Sequence, residues 1–283
     1  VGERRQLVQK PRRFGGNALG NVVVFEGGEI PPRFASRRAL DETSHEDELV
    51  GNTTQEIANM LSIIIPTLND SIALEGTLQS IAPIKLKIEL IIADGGSKDT
   101  TKELAVSYGA KLVQSDQGRG TQLAKGAKKA KGDWFLFLHA DTHPGYGWEV
   151  AVQRFMDKPE NRFNAAYFIF KLDHDVTQAK LIEKVVALRC QLFSLPYGDQ
   201  GLLISREFYE LIGGYAQIPI MEDLEILRTI KRSRLKPLPV VAKTSARKYQ
   251  RDGYMRRSCK NLLLLSLFFF GVSPEILNKF YNT

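Results

Sequence analysis

Polar side chains that could bind a cation follow an apolar run near the middle of the chain. Residues 134–138 are apolar and rich in aromatics, which is typical of a central strand buried on both faces. His139, Asp141 and His143 come directly after it, and strand alternation would put them on one side. Pro144 indicates a turn nearby. Because ligands bind beyond the carboxyl ends of strands in open α/β sheets, Asp141 is predicted to hold a cation or a polar ligand.

The elements that would position these residues alternate regularly from Leu61 onward. Short apolar runs typical of strands are separated by segments with apolar residues at helical spacing, and the alternation loosens after Leu172. This order predicts an α/β fold with a mostly parallel sheet covered on both sides. The predicted strands are 61–66, 88–93, 111–114, 134–138, 165–170 and 202–205, and the main predicted helices are 72–81, 97–109, 119–131, 148–156 and 178–193.

Residues 1–60 differ in composition from the rest of the chain. They carry Gly and Pro pairs and an acidic run at 41–48, which is typical of a linker, a tail or a piece of a neighbouring domain. One short strand at 22–25 is predicted there. The domain organisation we predict is therefore an N-terminal extension, 1–60, and one folded domain with C-terminal helices, 61–283.

The charge and cysteine content limit the class of protein. A net charge of +7 suits phosphate-bearing ligands, nucleic acid or an anionic membrane surface, and charge alone does not choose among them. We find no nucleic-acid-binding motif and predict no such partner. Cys190 and Cys259 have no metal-like spacing, so a reducing, cytoplasmic setting is expected.

No predicted segment is long enough to span a bilayer, and no signal-peptide core is seen. The longest apolar run, 262–272, follows several basic residues. It would suit either a buried terminal helix or a helix lying on a membrane surface, at the inner face of the membrane.

Five short motifs occur in a fixed order between residue 61 and about residue 260. They are PTLN at 66–69, DGGSKDT at 94–100, GRG at 118–120, HADT at 139–142 and MED at 221–223. Each alone occurs in many α/β proteins, but their order resembles family 2 glycosyltransferases. Within that family the chain is similar to a bacterial subgroup described as radical-SAM-associated transferases. The resemblance implies the GT-A fold of nucleotide-diphospho-sugar transferases.

The resemblance also implies a nucleotide-diphosphate sugar, a UDP- or GDP-sugar, as donor. Its nucleotide would lie beside the loop that contains Pro66, Thr67 and Asn69. Asp94, followed by Gly95, could accept hydrogen bonds from a base N–H or a ribose hydroxyl, although an Asp-Gly pair equally serves to form a turn.

Arg119 opens a predicted helix and could bind a diphosphate through both its guanidinium and the helix N-terminus. A solvent-exposed surface charge is the alternative. Arg247, with Lys248 beside it, resembles the basic residues that the subgroup carries after its last core strand. Either could reach the diphosphate or remain in solvent.

A divalent cation, Mn²⁺ or Mg²⁺, is implied at residues 139–141. Asp141 matches the second carboxylate of the family's Asp-x-Asp motif, with Ala140 before it, and His139 stands where the first aspartate is common. Metal there would act as a Lewis acid on the two phosphates. Imidazole shifts preference toward softer ions, and a packed histidine is the alternative for both His139 and His143.

Asp223 matches the general base of the family's Glu-Asp pair. It would take a proton from an acceptor hydroxyl as that oxygen attacks the anomeric carbon, which inverts the configuration. Glu222 would orient it, or cap its helix. Asp199 and Gln200, in a Gly-flanked loop, could contact donor or acceptor hydroxyls, or form a plain turn.

The favoured hypothesis is thus an inverting glycosyltransferase with a small-molecule or lipid-linked acceptor. A nucleotidyltransferase of similar fold would need a Gly-rich, Lys-containing loop after the first strand, which PTLN lacks. A nucleotide-sugar-binding module without turnover is favoured by His139 and opposed by the retained Asp141 and Asp223.

Overall fold

The computed structural model of the protein describes residues 59–82 and 86–281. The predicted N-terminal extension, including the strand at 22–25, therefore lies outside the described residues except for its last two positions. All elements given below belong to the described ranges.

The strands form one eight-stranded sheet in the order β3-β2-β1-β4-β7-β6-β8-β5. One half of it, β3-β2-β1-β4, is entirely parallel. In the other half β7 runs antiparallel to both neighbours, β6 and β8 are parallel, and β5 is antiparallel to β8. The bounds are β1 Leu61–Thr67, β2 Ile88–Asp94, β3 Lys111–Gln114, β4 Trp134–Phe137, β5 Thr142–Pro144, β6 Ala165–Leu172, β7 Leu202–Ser205 and β8 Leu235–Thr244.

Helices cover both faces of the sheet, as predicted. The bounds are α1 Ser71–Ile81, α2 Thr101–Ser107, α3 Arg119–Lys129, α4 Trp148–Met156, α5 Thr177–Phe193, α6 Arg206–Leu211, α7 Glu222–Thr229, α8 Arg247–Asp252, α9 Tyr254–Phe269 and α10 Pro274–Tyr281.

Alternation along β1 divides the core into two layers. Ile63 and Ile65 are fully buried against α1, whereas Ile64 is buried on the opposite face against α3. Gly126 lets α3 lie close to the sheet, because a Cβ there would come within 2.6 Å of the Ile64 side chain. Burial of β-branched residues on both faces is what a central parallel strand requires, and it holds the carboxyl ends of β1 and β4 side by side.

The long strand β8 and the short strand β5 are the elements that the sequence did not predict. Leu235 to Thr244 includes two prolines and two lysines, a pattern that argues against a central strand. Its pairing with β6 has a register shift between Tyr167 and Ile169. Strand β8 ends beside residues 139–141, so it completes the sheet edge at which the polar residues gather.

Candidate active site

Two adjoining hollows lie beyond the carboxyl ends of β1 and β4. The strand-end hollow, about 310 Å³, is bounded by Pro66, Thr67 and Gln122. The helix-walled hollow, about 170 Å³, is bounded by Asp199, Asp223 and α9. They share five lining residues, which are Arg119, His139, Asp141, Lys248 and Tyr281. A ligand spanning both hollows would therefore pass directly over Asp141.

The turn after β4 puts His139 and Asp141 into this shared wall. The Thr142 N–H donates to the His139 carbonyl (3.2 Å) and the Ser245 N–H to the Asp141 carbonyl (3.2 Å), which fixes the turn against the end of β8. His143 does not lie on the same side as His139 and Asp141, contrary to the prediction from strand alternation. That residue lies in β5, and its imidazole packs against Gly76 in α1 because the chain turns before it.

The first turn of α7 carries the two buried acids of the site. Met221, in a left-handed conformation (φ 66°), reverses the chain before the helix. Glu222 is 0% exposed and Asp223 9%. One Asp223 oxygen, Oδ2, accepts a hydrogen bond from the Gly198 N–H (3.0 Å), whereas Oδ1 is buried without a hydrogen-bond partner. Asp223 is thus oriented by the backbone, keeps one oxygen without a hydrogen-bond partner, and lines the helix-walled hollow.

Gly198 allows this arrangement because its backbone lies directly on the two side chains. A Cβ at this position would fall 2.3 Å from His139 Nε2 and 2.6 Å from Asp223 Oδ2. Any larger residue would therefore displace the loop or the two side chains. His139, Asp223 and residues 198–200 form one packed unit.

Arg119 and Glu222 form an ion pair across the site, with Arg119 Nε 2.9 Å from Glu222 Oε1, although the approach lacks hydrogen-bond alignment. The predicted use of the helix N-terminus by a ligand needs correction. The N–H groups of Arg119 and Gly120 donate to the carbonyls of Pro219 and Ile218. Only the guanidinium of Arg119 faces the hollows.

Burial and crowding of acids perturb the titration of three residues. Burial lowers the pKa of His139, with Asp223 opposing and Arg119 reinforcing the shift. Burial, with Asp223 nearby, raises the pKa of Glu222 to about 8 despite Arg119. Burial also raises the pKa of Asp199 to about 6, against the effect of Arg189. Perturbed titrating groups in one cleft are typical of functional sites.

Among the described residues, one cluster could hold a metal ion. Ligand atoms of His139, Glu222 and Asp223 lie within 4.8 Å of one another, and His139 Nε2, both Glu222 oxygens and Asp223 Oδ1 lack hydrogen-bond partners. Buried polar atoms are rarely left unsatisfied. One imidazole with carboxylates suits a divalent cation such as Mn²⁺. Asp141, the ligand that the sequence favoured, lies outside this cluster and lines both hollows.

Asp94 takes part in a closed hydrogen-bond network beneath the strand-end hollow. Its carboxylate accepts from the Thr67 and Ser97 hydroxyls and from the Gly96 and Ser97 N–H groups (3.0 and 2.8 Å). Burial acts to raise its pKa, but these bonds outweigh burial and lower it. Asp94 is 1% exposed and does not line the hollow, so the turn-forming role left open by the sequence is present.

The other predicted residues of these loops fall into two groups: some line the strand-end hollow, and others hydrogen-bond within the loops. Pro66, Thr67 and Ala140 line the strand-end hollow. Asn69 and Gly95 do not; the Asn69 side chain accepts from the Lys98 N–H (2.8 Å), and the Gly95 N–H donates to the Thr67 carbonyl (2.9 Å). These two residues shape the loops that form the hollow.

The remaining predicted residues are only partly brought together. Asp199 lines the helix-walled hollow, with Oδ1 buried and unpartnered. Gln200 is buried away from it, and its amide donates to the Phe168 carbonyl (3.0 Å). Arg247 is exposed, whereas Lys248 lines both hollows. Lys248 is therefore the residue of this basic pair that faces the site.

Sequence reasoning missed several lining residues that come from later elements. Gln122 lies one turn after Arg119 and donates to the carbonyls of Thr67 (2.7 Å) and Ala93 (2.9 Å); a polar residue on the buried face of α3 was its only signal. Arg257 and Tyr281 come from α9 and α10, and the Arg257 guanidinium donates to the Tyr281 hydroxyl (2.9 Å). No local pattern marks these two.

Comparison with known proteins identifies relatives of this segment. Residues 62–192 match the family described as Glycosyl transferase family 2. This supports the family-level part of the resemblance, and together with the sheet it confirms the predicted GT-A fold. Over 92 residues, 30% of this chain and 36% of the relative, it is 41% identical to a PGL/p-HBAD biosynthesis glycosyltransferase of Mycobacterium bovis.

A second relative is glucosyl-3-phosphoglycerate synthase of Mycobacterium tuberculosis, which is 32% identical over 98 residues, 30% of each chain. The chain thus spans about a third of the length of the curated relatives it matches. A crystal structure of that synthase with Mn²⁺, UDP-glucose and glycerol 3-phosphate aligns with a TM-score of 0.49 at 18% identity, covering 66% of this chain and 70% of the other.

Proposed function

We propose that the chain is an inverting glycosyltransferase that moves a sugar from a nucleotide-diphosphate donor to an acceptor hydroxyl. The observation that carries this proposal is the environment of Asp223. One of its oxygens is held by the Gly198 N–H, and the other is buried without a partner in a residue that lines the helix-walled hollow. That hollow adjoins a second one through the wall formed by Arg119 and Asp141.

The strand-end hollow would bind the nucleotide of a UDP- or GDP-sugar. Pro66, Thr67 and Gln122 bound one side, and the cations Arg119 and Lys248 lie where it meets the second hollow. Two cations at that junction suit the charge of a diphosphate. The predicted contribution of Asp94 becomes indirect, because its oxygens hold the Thr67 and Ser97 loops that border the hollow.

The helix-walled hollow would bind the transferred sugar and the acceptor. Asp223 Oδ1 would accept the proton of the acceptor hydroxyl while the acceptor oxygen forms the new bond to the anomeric carbon. The bond from that carbon to the diphosphate oxygen breaks on the opposite face, which gives inversion. Asp199, whose Oδ1 is also free, would contact a sugar hydroxyl.

A divalent cation, Mn²⁺ or Mg²⁺, fits the donor set of the site. His139 offers an unpartnered buried nitrogen, and Asp141 adds a carboxylate in the shared wall, which leaves Asp223 Oδ1 for the acceptor proton. When bound, such an ion supplies Lewis-acid stabilisation of the charge left on the nucleotide. The neutral imidazole of His139 is the form that can donate a lone pair to a metal.

The helix-walled hollow has both apolar and polar walls, which bears on the choice between a small-molecule and a lipid-linked acceptor. Leu224, Leu264 and Leu265 form apolar parts of its wall, whereas Arg257 and Asn261 are polar. The similarity to the subgroup of radical-SAM-associated transferases stays a prediction from the motifs. Identification of a partner enzyme would then indicate the class of acceptor.

Turnover of a panel of nucleotide sugars tests the proposal. With water in place of the unidentified acceptor, we expect slow hydrolysis of at least one UDP- or GDP-sugar to free sugar and nucleoside diphosphate in the presence of Mn²⁺, with loss of this hydrolysis in Asp223→Asn. Glu225→Gln, on the same helix but outside both hollows, is the matched control and should retain activity. Donor binding without turnover in the wild type would contradict the proposal and favour a binding module.

A further inference from the structure

Two helices of the C-terminal half present apolar side chains to solvent. On α9, Met255, Leu262 and Phe269 are 70%, 64% and 53% exposed, and their spacing of seven residues places them on one face of the helix. Leu263 and Phe270 extend this face and are 59% and 87% exposed. The opposite face of α9 is in the core, where Leu264 and Phe268 are buried.

The neighbouring helix α5 has a similar face. Leu181, Val185, Leu188 and Leu192 follow one another at intervals of three and four residues, so they form one stripe, and each is at least 50% exposed. The two helices contact each other, and α9 also contacts α10. We call this surface, formed by the exposed apolar residues of α5 and α9, the apolar helix surface. Exposed apolar stripes of this kind on neighbouring helices mark interaction sites.

The charge around the apolar helix surface indicates the kind of partner. Helix α9 contains Arg256, Arg257 and Lys260 and no acidic residue. Arg256 is exposed and lies at the edge of the apolar face. In a symmetric dimer the same patch would meet itself, which would bring the exposed Arg256 toward its own copy. An anionic lipid surface instead offers opposite charge and an apolar layer beneath it.

No helix in the described ranges is long and apolar enough to cross a membrane. From the exposed apolar residues and the basic charge beside them, we propose that the apolar helix surface docks the protein on an anionic lipid bilayer, with α5 and α9 lying in the interface. Helix α9 would insert Leu262 and Phe269 between acyl chains while Arg256 contacts lipid headgroups. This arrangement combines apolar burial with charge attraction, the two contributions that hold amphipathic helices at membranes.

The position of the helix-walled hollow links membrane docking to catalysis. Leu264 and Leu265 on α9 line the helix-walled hollow, so the hollow lies about one helix diameter, ~10 Å, from the docked face. Resting on the proposed function, this points to an acceptor whose hydroxyl is carried on a lipid.

Vesicle sedimentation of the full chain without any sugar donor tests the docking independently of turnover. We expect binding to vesicles of phosphatidylcholine with 30% phosphatidylglycerol, weaker binding at high salt, and little binding to pure phosphatidylcholine. The double substitution Leu262→Gln with Phe269→Gln should reduce binding at least tenfold. Ile72→Gln is the matched control, because Ile72 is 74% exposed and lies on α1, outside the apolar helix surface. This variant should bind vesicles as the wild type does.

Three results would overturn the docking proposal. The first is that the wild type does not bind anionic vesicles. The second is that the double variant binds them as well as the wild type does. The third is that the wild type forms a dimer, which the double substitution abolishes and which the addition of vesicles leaves unchanged. Circular dichroism of the variants establishes that they are folded. A protein that binds vesicles but turns over no nucleotide sugar would keep the docking and reject the proposed function.

Discussion

Asp223 is the residue on which the chemistry depends, because its two oxygens have different environments. The Gly198 N–H fixes Oδ2, whereas Oδ1 is buried without a partner in a side chain that lines the helix-walled hollow. Replacing Asp223 with Asn removes the proton acceptor while keeping the shape. We expect transfer to fall by about 10²- to 10⁴-fold, with donor affinity measured by calorimetry in the absence of metal nearly unchanged. Transfer by Asp223→Asn at the wild-type rate would contradict the assignment.

Asp199 provides a pH-dependent test at the same scale. Burial, with Asp223 and Asp141 nearby, raises its folded pKa from 3.8 to about 6, so its contribution to stability is full below pH 3.8 and is lost as pH rises through 6. Asp199→Asn, which mimics the protonated acid, should therefore raise the melting temperature by about 2–4 °C at pH 8 and change it little at pH 4.

The control for this test is Asp116→Asn. Asp116 is exposed and pairs with Lys125 at 2.7 Å, and hydrogen bonding and attraction from Lys125 lower its pKa. That substitution should give no stabilisation at pH 8. A melting temperature of Asp199→Asn equal to the wild type at both pH values would show that Asp199 ionises normally in the folded state.

At the scale of elements, the loop before β7 and the start of α7 act as one unit. Gly198→Ala would put a methyl group 2.3 Å from His139 Nε2, so the loop or the side chains must move. Because small misplacements of catalytic groups are costly, we expect a loss of transfer of about 10²-fold with a cooperative thermal transition retained. Full activity in this variant would contradict the close packing of Gly198 on Asp223.

The elements differ in how far the sequence predicted them. The β-α alternation from β1 to β4 was predicted because each strand is a local apolar run and each helix has local periodicity. Strand β8 was not, since Pro237 and Pro239 argue against a strand and its partners are distant in sequence. The turn at 139–141 was predicted near Pro144, but the side of His143 depends on where β4 ends.

The candidate site, like the fold, could be predicted from the sequence only in part. Arg119, His139, Asp141 and Asp223 follow strands or begin helices, Asp199 lies in a Gly-flanked loop, and all five line one or both hollows. Gln200 and Asn69 occur in similar loops but point into the protein, and no sequence pattern distinguishes the two outcomes. Whether a loop side chain faces a ligand or its own backbone is decided by tertiary packing.

At the scale of the whole molecule, the C-terminal helices complete a site that begins at β1. Tyr281 of α10 lines both hollows and accepts a hydrogen bond from the buried Arg257. Tyr281→Ala removes part of the wall of both hollows and leaves the buried Arg257 without this partner, so it should weaken donor binding about three- to tenfold, as measured by calorimetry. Phe280→Ala is the matched control because Phe280 is exposed; equal weakening in both variants would mean that α10 acts only through stability.

The central claim is that one crevice holds an activated sugar and a divalent cation between Asp141 and Asp223. Calorimetric titration of the full chain with UDP- and GDP-sugars, with and without Mn²⁺, tests it most directly. We predict binding of one nucleotide class that strengthens at least about tenfold with Mn²⁺, and loss of that strengthening in Asp141→Asn. Absence of heat with every nucleotide sugar, or the same Mn²⁺ effect in Asp141→Asn as in the wild type, would contradict the claim.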